Sequence, residues 1–266
     1  MFVVIKGAGD LASGIALRLY NAGFNVVMTD LPNPLAIRRT VSFCEAIRDG
    51  ETSVEGVKAI RATTKKDVFY ALDTGCIPVL ADPEANIISK INPDVVVDAI
   101  LAKRNTGTKI TDAEVVIGVG PGFTAGVDCH AVIESMRGHT LGRAIYKGPA
   151  LPNTNIPGLI GGFAGERVLR APADGNFQSV HKIGDLVKAG DVIGYVEGKP
   201  MIATIDGVLR GLIADGTPVR EGLKSGDVDP RGNTEYCTLA SDKALAIAGG
   251  VMEAILKLSG CINGRD

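Results

Sequence analysis

The stretch KGAGDLASG, Lys6–Gly14, follows a short apolar run and precedes a helical pattern. The run Phe2–Ile5 is typical of a buried strand, and apolar residues spaced four apart after the stretch predict an amphipathic helix. Gly7, Gly9 and Ala12 match the spacing of a dinucleotide-binding turn: the first glycine makes the turn, the second lets a pyrophosphate approach, and the small third residue lets helix and strand pack. We therefore expect a strand, a glycine turn and a helix whose first N–H groups face a ligand.

The next strand ends in a carboxylate at the distance expected of a ribose-binding residue. Asn25–Thr29 predicts this strand, and Asp30 follows it 23 residues after Gly7, close to the ~20 that is usual. These features predict a Rossmann-like doubly wound parallel sheet. Asp10 argues against a phosphate at the turn, because a carboxylate at the start of a helix repels one. We expect Asp10 to cap the helix or to contact a non-phosphate group.

The composition argues against several classes of protein. The 266 residues carry a formal net charge of −2 with both signs mixed along the chain, which gives no support for binding to nucleic acid or to an anionic membrane. No apolar run reaches the ~18 residues of a membrane span, and because the chain enters a strand at once we expect no signal peptide. The five cysteines are scattered without a C-x-x-C pair. We expect a reduced, cytoplasmic protein without a structural metal site.

Two later strands also end in residues suited to ligand binding. Asp94–Val97 predicts a strand that runs into Asp98, and Val115–Ile117 predicts one that runs into the glycine-rich segment Gly118–Gly126. Ligands of doubly wound sheets bind outside the carboxyl ends of the strands, so we expect these ends to gather at one edge with Asp30. The glycine-rich segment could offer backbone N–H groups to a phosphate or a flat heterocycle, or could serve only as a crossover.

Two pairs of neighbouring side chains are further candidates. Arg38 and Arg39 could recognise an anionic group through their guanidinium forks, or could form a solvated helix face. Cys129 and His130 are candidates for a nucleophile or a metal ligand. Adjacent residues on a strand point to opposite faces, however, so these two act together only where the backbone is irregular. A structural role is the alternative.

The second half of the chain contains an internal repeat of 32 residues. Within 174–228, Asp174-Gly175 recurs as Asp206-Gly207, and five glycine and valine positions recur in the same register. One copy is too short to bury its own apolar face, so we expect the two copies to close into a small β-sandwich. The pattern resembles the barrel-sandwich hybrid fold of biotinyl and lipoyl carrier domains. Lys199 lies on the hairpin that carries the modified lysine there, but its Gly-Lys-Pro context fits neither class of carrier.

These patterns divide the chain into three parts. The segment 148–162 is rich in proline, asparagine and glycine and predicts a boundary. We expect a Rossmann-like domain over 1–160, a β domain over 161–238 and a C-terminal helix within 239–266 that packs back on the Rossmann-like domain. Ser241-Asp242 can cap this helix, and the apolar residues that follow give it a broad buried face.

Four stretches together resemble one family. They are KGAGDLA at 6–12, GVGPGFTAGVDCH at 118–130, RGHTLGR at 137–143 and GDVDPR at 226–231. They resemble the YqeB-type accessory proteins of selenium-dependent molybdenum hydroxylases, distant relatives of the XdhC-type maturation factors of xanthine dehydrogenase. The resemblance covers nearly the whole chain, and the second stretch is its most specific part. It implies a cytoplasmic accessory protein that handles a molybdopterin-type cofactor, or its sulfur or selenium ligand. Its partners would be the target hydroxylase, other maturation proteins or a second copy in a homodimer.

The predicted site gathers these residues around one crevice. Cys129 and His130 are the catalytic candidates, with the Cys129 thiolate contacting molybdenum or carrying a chalcogen atom. One alternative is an NAD(P)-dependent oxidoreductase, and a second is a carrier module modified at Lys199. The residues predicted to bind the cofactor are Gly7, Gly9, Asp10, Leu11, Ala12, Gly14, Asp30, Arg38, Arg39, Asp98, Gly120, Gly122, Phe123, Thr124, Gly126 and Asp128.

Overall fold

The computed structural model describes residues 1–154 and 158–261. Residues 155–157, in the predicted boundary segment, and residues 262–266, at the end of the predicted C-terminal part, lie outside the described residues. The chain divides into two units. We call residues 1–34, 43–153 and those from 240 onward the sheet unit, and residues 35–42 and 154–239 the β unit.

The sheet unit contains strands formed by apolar runs and the helices that lie between some of them. Its elements in chain order are β1 (Phe2–Lys6), α1 (Asp10–Asn21), β2 (Asn25–Asp30), α2 (Glu45–Asp49), β3 (Glu51–Val54), β4 (Val57–Ala62), α3 (Lys65–Asp73), β5 (Ile77–Ala81), α4 (Ile87–Ile91), β6 (Val95–Asp98), β7 (Val115–Val119), β8 (Thr124–Ala125), β9 (Ala131–Ile133), β10 (Ala144–Ile145), β11 (Gly148–Pro149) and α5 (Asp242–Leu258).

The first strand lies at the centre of the main sheet. In the described part of the chain this sheet has nine strands, in the order β10-β9-β7-β6-β1-β2-β5-β4-β3. The strands from β9 to β4 are parallel. Val3, Val4 and Ile5 are fully buried, as expected of a central strand covered on both faces. The strand order reverses at β1, which pairs with β2 on one side and with β6 on the other, so Lys6 and Asp98 become neighbours in register.

The predicted fold class, a doubly wound parallel sheet with a barrel-sandwich hybrid, is wrong. The sheet is mixed, since β3 pairs antiparallel with β4 at one edge and β10 pairs antiparallel with β9 at the other. The two-residue turn Glu55-Gly56, where both φ angles are positive, forces the first of these pairings, because such a tight turn joins antiparallel strands. The crossovers from β6 to β7 and from β7 to β9, which the structure describes throughout, contain no helix. The alternation of strands and helices that defines a doubly wound sheet therefore stops after β6.

The last helix packs against the first. Ser241 caps α5, since its Oγ accepts a hydrogen bond from Ala244 N at 3.2 Å. At Gly14 in α1, an added Cβ would lie 2.6 Å from the Cβ of Ala244. The absence of a side chain at Gly14 therefore lets the two helices approach closely, so this residue, predicted to bind a cofactor, has a packing role.

The β unit consists of short antiparallel strands around its own core. Its strands are β12 (Val168–Arg170), β13 (Gly175–Ser179), β14 (Leu186–Val187), β15 (Val192–Val196), β16 (Lys199–Ile202), β17 (Gly207–Leu212), β18 (Pro218–Val219) and β19 (Lys224–Asp229), with short 3-10 helices at Arg39–Val41 and Thr234–Cys237. Among the described residues they form two four-stranded sheets, β12-β19-β17-β14 and β16-β15-β13-β18. Strand β14 of the first repeat joins β17 and β19 of the second, and β18 of the second joins β13 and β15 of the first. The two copies thus exchange their middle strands around a core that includes Phe177, Ile193 and Leu209.

Candidate functional site

The glycine turn after β1 is closed by backbone on one side and open on the other. Gly7 has φ +98°, and an added Cβ would lie 2.9 Å from the carbonyl oxygen of Ala99. Gly9 is the N-cap of α1, and a Cβ added there would meet nothing within 4 Å. Leu11 and Ala12 lie in the first turn of α1, where Ala12 is buried. Gly7 therefore serves close packing, and Gly9 is the glycine of this turn that leaves open space.

Two carboxylates, Asp30 and Asp10, lie at this turn. Asp30 accepts hydrogen bonds from Ala8 N through Oδ2 and from Leu31 N through Oδ1, both at 2.7 Å. Burial raises the pKa of Asp30, although these two backbone hydrogen bonds partly offset it. Asp30 thus fastens the turn to the end of β2, where a ribose-binding role was predicted. Asp10 is the first residue of α1, and Gly9, not Asp10, is its N-cap.

The crevice between β1 and β6 is filled by three side chains. Lys6 Nζ donates a hydrogen bond to Thr108 Oγ1 at 2.6 Å, and Thr108 Oγ1 donates to Asp98 Oδ2 at 2.6 Å. Lys6 Nζ also lies 3.6 Å from Asp98 Oδ2, and all three residues are buried. We call Lys6, Asp98 and Thr108 the crevice trio. They occupy the point at which the strand order reverses, where a doubly wound sheet would bind its ligand.

The second glycine-rich segment is also packed against protein. A Cβ at Gly120 (φ +79°) would lie 2.6 Å from Ser135 Oγ, and one at Gly122 (φ +110°) would lie 2.5 Å from the Cα of Arg104. Gly126 (φ +87°) has nothing within 4 Å of its Cβ position. Of the three glycines in this segment that were predicted to bind a cofactor, two therefore allow close contact with neighbouring segments.

Side chains around this segment hold it in place. The ring of Phe123 packs against Gly118. Asp128 Oδ2 accepts a hydrogen bond from Thr124 N at 2.8 Å, and its Oδ1 accepts one from Asn105 Nδ2 at 3.2 Å. Phe123, Thr124 and Asp128, all predicted to bind a cofactor, thus contact the protein itself.

Cys129 lies in the interior, and His130 is hydrogen-bonded to the neighbouring backbone. Cys129 is buried, and burial raises the pKa of its thiol to about 11, so the thiol stays protonated at neutral pH. His130 Nδ1 accepts a hydrogen bond from Val116 N at 3.0 Å, and His130 N donates to Val116 O at 2.8 Å. A thiolate is the reactive form of cysteine, so the geometry gives no support to the predicted nucleophile.

Arg38 and Arg39 belong to the β unit, whereas the other predicted site residues belong to the sheet unit. Arg38 is buried, and its guanidinium donates hydrogen bonds to the carbonyl oxygens of Tyr236 at 2.8 Å and Leu239 at 3.1 Å. Arg39 begins the 3-10 helix Arg39–Val41. Arg38 therefore links its own segment to the 3-10 helix near the end of the β unit.

An open cleft lies elsewhere on the sheet edge, at the carboxyl ends of β4 and β5. Its volume is about 330 Å³. We call it the basic cleft; its lining residues are Arg61, Ala62, Thr63, Thr64, Lys65, Leu80, Ala81, Asp82, Asn86, Ile87 and Lys90. The sequence analysis placed none of them in a site, although the rule that ligands bind at the carboxyl ends of parallel strands pointed to this edge.

The basic cleft is lined by more positive than negative side chains. Arg61, Lys65 and Lys90 are exposed. The carboxylate of Asp82 already accepts hydrogen bonds from Asn86 Nδ2 through Oδ1 and from Ile87 N through Oδ2, both at 2.9 Å. The cleft therefore presents three cations to solvent, while its carboxylate is held in the loop before α4.

The start of α3 forms one wall of this cleft and is capped. Thr64 Oγ1 accepts a hydrogen bond from Asp67 N at 3.2 Å, and Asp67 Oδ2 accepts one from Thr64 N at 2.8 Å. Hydrogen bonds from Thr63 and Thr64 lower the pKa of Asp67 to about 2. Lys65 Nζ donates to the carbonyl oxygen of Lys90 at 2.7 Å, so this ammonium lies at the end of α4.

The described part of the chain contains neither a cluster of metal-binding side chains nor a helix that could cross a membrane. No group of three or more histidine, cysteine, aspartate or glutamate side chains in residues 1–154 and 158–261 could hold a metal ion. In the same residues no helix is both long and apolar enough to cross a membrane.

Comparison with known proteins gives one strong likeness. No protein-family model matches the chain. It is 53% identical over 256 residues to the uncharacterized protein YqeB of Escherichia coli strain K12, and the match covers 96% of this chain and 47% of YqeB. The chain thus spans about half the length of this curated relative. The likeness supports the YqeB-type label, but the relative's name carries no activity.

The solved structures found by comparison have low similarity to this chain. A succinylglutamate desuccinylase/aspartoacylase from Rhodobacter sphaeroides is 14% identical with a TM-score of 0.25, and an aspartoacylase family protein from Mesorhizobium loti is 11% identical with a TM-score of 0.27. The ectoine utilization protein EutE from Ruegeria pomeroyi is 12% identical with a TM-score of 0.26. Each match covers 85% of this chain and 84% of the other. At these scores the likeness assigns no substrate or reaction to this chain.

The function predicted from the sequence, an XdhC-like maturation protein for a molybdenum hydroxylase, is corrected by the geometry of the site. The crevice trio occupies the predicted cofactor crevice. The maturation role is wrong, and the two alternatives, an oxidoreductase and a carrier modified at Lys199, are not carried further.

Proposed function

We propose that this chain binds a small anion in the basic cleft. The observation that carries the proposal is the arrangement of Arg61, Lys65 and Lys90 around an open volume of about 330 Å³. Among the lining residues, all of which the structure describes, Asp82 is the one carboxylate, and two hydrogen bonds already engage it. An anion entering the cleft would therefore meet cations whose charge the protein leaves exposed to solvent.

The position of the cleft on the sheet supports this function. Strands β4 and β5 are parallel, and the cleft lies where both end. Helix α3 begins at the cleft, and the carboxylate of Asp67 already caps its start. The exposed basic side chains therefore supply the positive charge at this place.

Titration calorimetry with inorganic phosphate tests the proposal. We expect Arg61→Ala to weaken binding by about tenfold or more, because a hydrogen bond to a charged group contributes about 1.5–3 kcal/mol. Lys66→Ala is the matched control, since Lys66 is exposed on α3 but does not line the cleft. Binding to Lys66→Ala should stay within about twofold of wild type. Equal loss in both variants, or no binding to the wild type, overturns the proposal.

We also propose that the protein works in the cytoplasm. All five cysteines are free, and Cys44, Cys129 and Cys237 are buried. Free cysteines are usual in a reducing compartment, where disulfides rarely persist. Mass spectrometry of the alkylated protein, isolated from its host without reductant, should find five alkylated cysteines; disulfide-linked peptides would contradict this location.

A further inference from the structure

We infer that the ligand of the basic cleft is a phosphate monoester dianion with a compact organic body. This inference rests on the proposed function and specifies its ligand class. It draws on three independent properties of the cleft: its charge, the shape of its cationic groups and its size.

The charge of the lining matches a dianion. Arg61, Lys65 and Lys90 contribute three positive charges and Asp82 one negative charge, which leaves two positive charges among the lining residues. The Asp67 carboxylate lies outside the lining and is held by hydrogen bonds from Thr63 and Thr64. A phosphate monoester above its second pKa of about 6 carries close to two negative charges. A carboxylate or a sulfate ester carries one, so it would leave part of this charge unpaired.

The cationic groups also suit the phosphate oxygens. The planar guanidinium of Arg61 can donate two parallel hydrogen bonds to two oxygens of one phosphate. Lys65 supplies a further point charge to the lining. Its Nζ donates to the carbonyl oxygen of Lys90, and this contact keeps the ammonium beside the cleft. A tetrahedral group with several equivalent oxygens can use all of these donors at once.

The remaining lining sets the size of the organic part. Ala62, Leu80, Ala81 and Ile87 line the cleft and carry apolar side chains that offer contact to carbon atoms. The volume of about 330 Å³ is at the small end of ligand pockets, which span about 300–1,000 Å³. A phosphorylated small metabolite fits this space better than a dinucleotide does.

The charge match makes binding depend on pH through the ligand. The titratable and charged groups of the lining are Arg61, Lys65, Lys90 and Asp82, with Asp67 behind them at the α3 cap. The lining contains no histidine, the side chain that ordinarily titrates between pH 5 and 8. Between pH 7.5 and pH 5.0, the second ionisation of the phosphate is therefore the main change of charge.

A matched pair of esters tests this inference in the full chain. Phenyl phosphate and phenyl sulfate share one organic body but carry close to two charges and one charge at pH 7.5. We expect phenyl phosphate to bind at least tenfold more tightly at pH 7.5 and less than threefold more tightly at pH 5.0. Lys90→Gln, which removes one positive charge, should reduce the preference at pH 7.5 to about threefold. The control Lys66→Gln should keep the full preference.

The outcomes separate this inference from the proposed function. Equal binding of both esters at pH 7.5 overturns the inference and leaves anion binding intact. No binding of either ester overturns both. If the Lys90→Gln protein keeps the full preference for phenyl phosphate over phenyl sulfate, the positive charge of Lys90 does not recognise the second negative charge of the phosphate. This result also overturns the inference.

Discussion

Two places on the same edge of the sheet differ in what fills them. At the ends of β1 and β6, the crevice trio of Lys6, Asp98 and Thr108 is buried and joined by hydrogen bonds of 2.6 Å. At the ends of β4 and β5, the basic cleft is open and its cations are exposed. The glycine motif lies at the first place and no motif lies at the second. The comparison shows that glycines at the end of a strand can serve close packing of the protein as well as binding of a ligand.

The largest expected effect comes from breaking the filled crevice. Lys6→Met removes the cation beside Asp98 and leaves a carboxylate that is only 1% exposed without its opposite charge. We expect this to lower the free energy of unfolding by about 3–5 kcal/mol, the usual result of removing one partner of a buried ion pair. Urea denaturation followed by circular dichroism measures it.

The control for this variant is an exposed lysine of the same sheet. Lys58 pairs with Glu51 at 2.7 Å on the surface, and Lys58→Met should leave the urea midpoint close to wild type. A loss of less than about 1 kcal/mol in Lys6→Met would show that the trio does not hold the crevice.

The second prediction separates packing glycines from open ones. Gly122→Ala combines a strained positive φ with a Cβ placed 2.5 Å from the Cα of Arg104. We expect a loss of about 3 kcal/mol in the free energy of unfolding, since positive φ costs an alanine about 1–2 kcal/mol and overpacking adds about 1–3 kcal/mol. Gly126→Ala keeps the strain but enters open space, so its loss should be about 1–2 kcal/mol. Equal losses in the two variants would contradict the packing role of Gly122.

The third prediction uses the open glycine of the first turn. Gly9→Ala should cost about 0.5 kcal/mol of stability, because glycine is only a moderately good N-cap and the added Cβ meets no atom within 4 Å. Phosphate binding, measured by titration calorimetry, should stay within about twofold of wild type, in contrast to Arg61→Ala. A tenfold loss of phosphate binding in Gly9→Ala would move the site back to the glycine turn.

The smallest expected effect is a difference between the pKa values of Asp30, beside the glycine turn, and Asp67, beside the basic cleft. Burial raises the pKa of Asp30 above its ordinary value, whereas hydrogen bonds from Thr63 and Thr64 lower that of Asp67 to about 2. The depressed pKa means that Asp67 stabilises the fold above the unfolded pKa of about 3.9, and that this contribution is lost as the pH falls towards 2. The raised pKa of Asp30 has the opposite sign, so protonating it favours the folded state. Carbon-13 NMR titration of both carboxyl groups measures the two midpoints; coincident midpoints near pH 4 would contradict the difference.

Some strands could be predicted from the sequence because their residues are apolar and consecutive. The expected strands Phe2–Ile5 and Asn25–Thr29 agree with β1 and β2 to within one residue at their ends. The strand β3 was missed because ETSV is largely polar, as suits an edge strand, and only the turn Glu55-Gly56 signals it. The pattern of apolar residues therefore did not predict the antiparallel strand at this edge of the sheet.

The filled crevice and the open cleft could not be predicted for a different reason. Lys6 and Asp98 are both hydrogen-bonded to Thr108, which lies in a segment without strand or helix pattern. Arg61 and Lys90 are single basic residues far apart in sequence, and only the parallel pairing of β4 and β5 brings their surroundings together. Both features depend on tertiary contacts between segments that have no sequence signature of their own.

We propose that an anion binds at the basic cleft and not at the glycine turn. The most direct test is a titration of the nitrogen-15-labelled full chain with inorganic phosphate, followed through its amide chemical shifts. We expect the largest shift changes at residues 61–65 and 86–90, with residues 7–12 nearly unchanged. Shift changes centred on residues 7–12, with residues 61–65 and 86–90 unchanged, would contradict it.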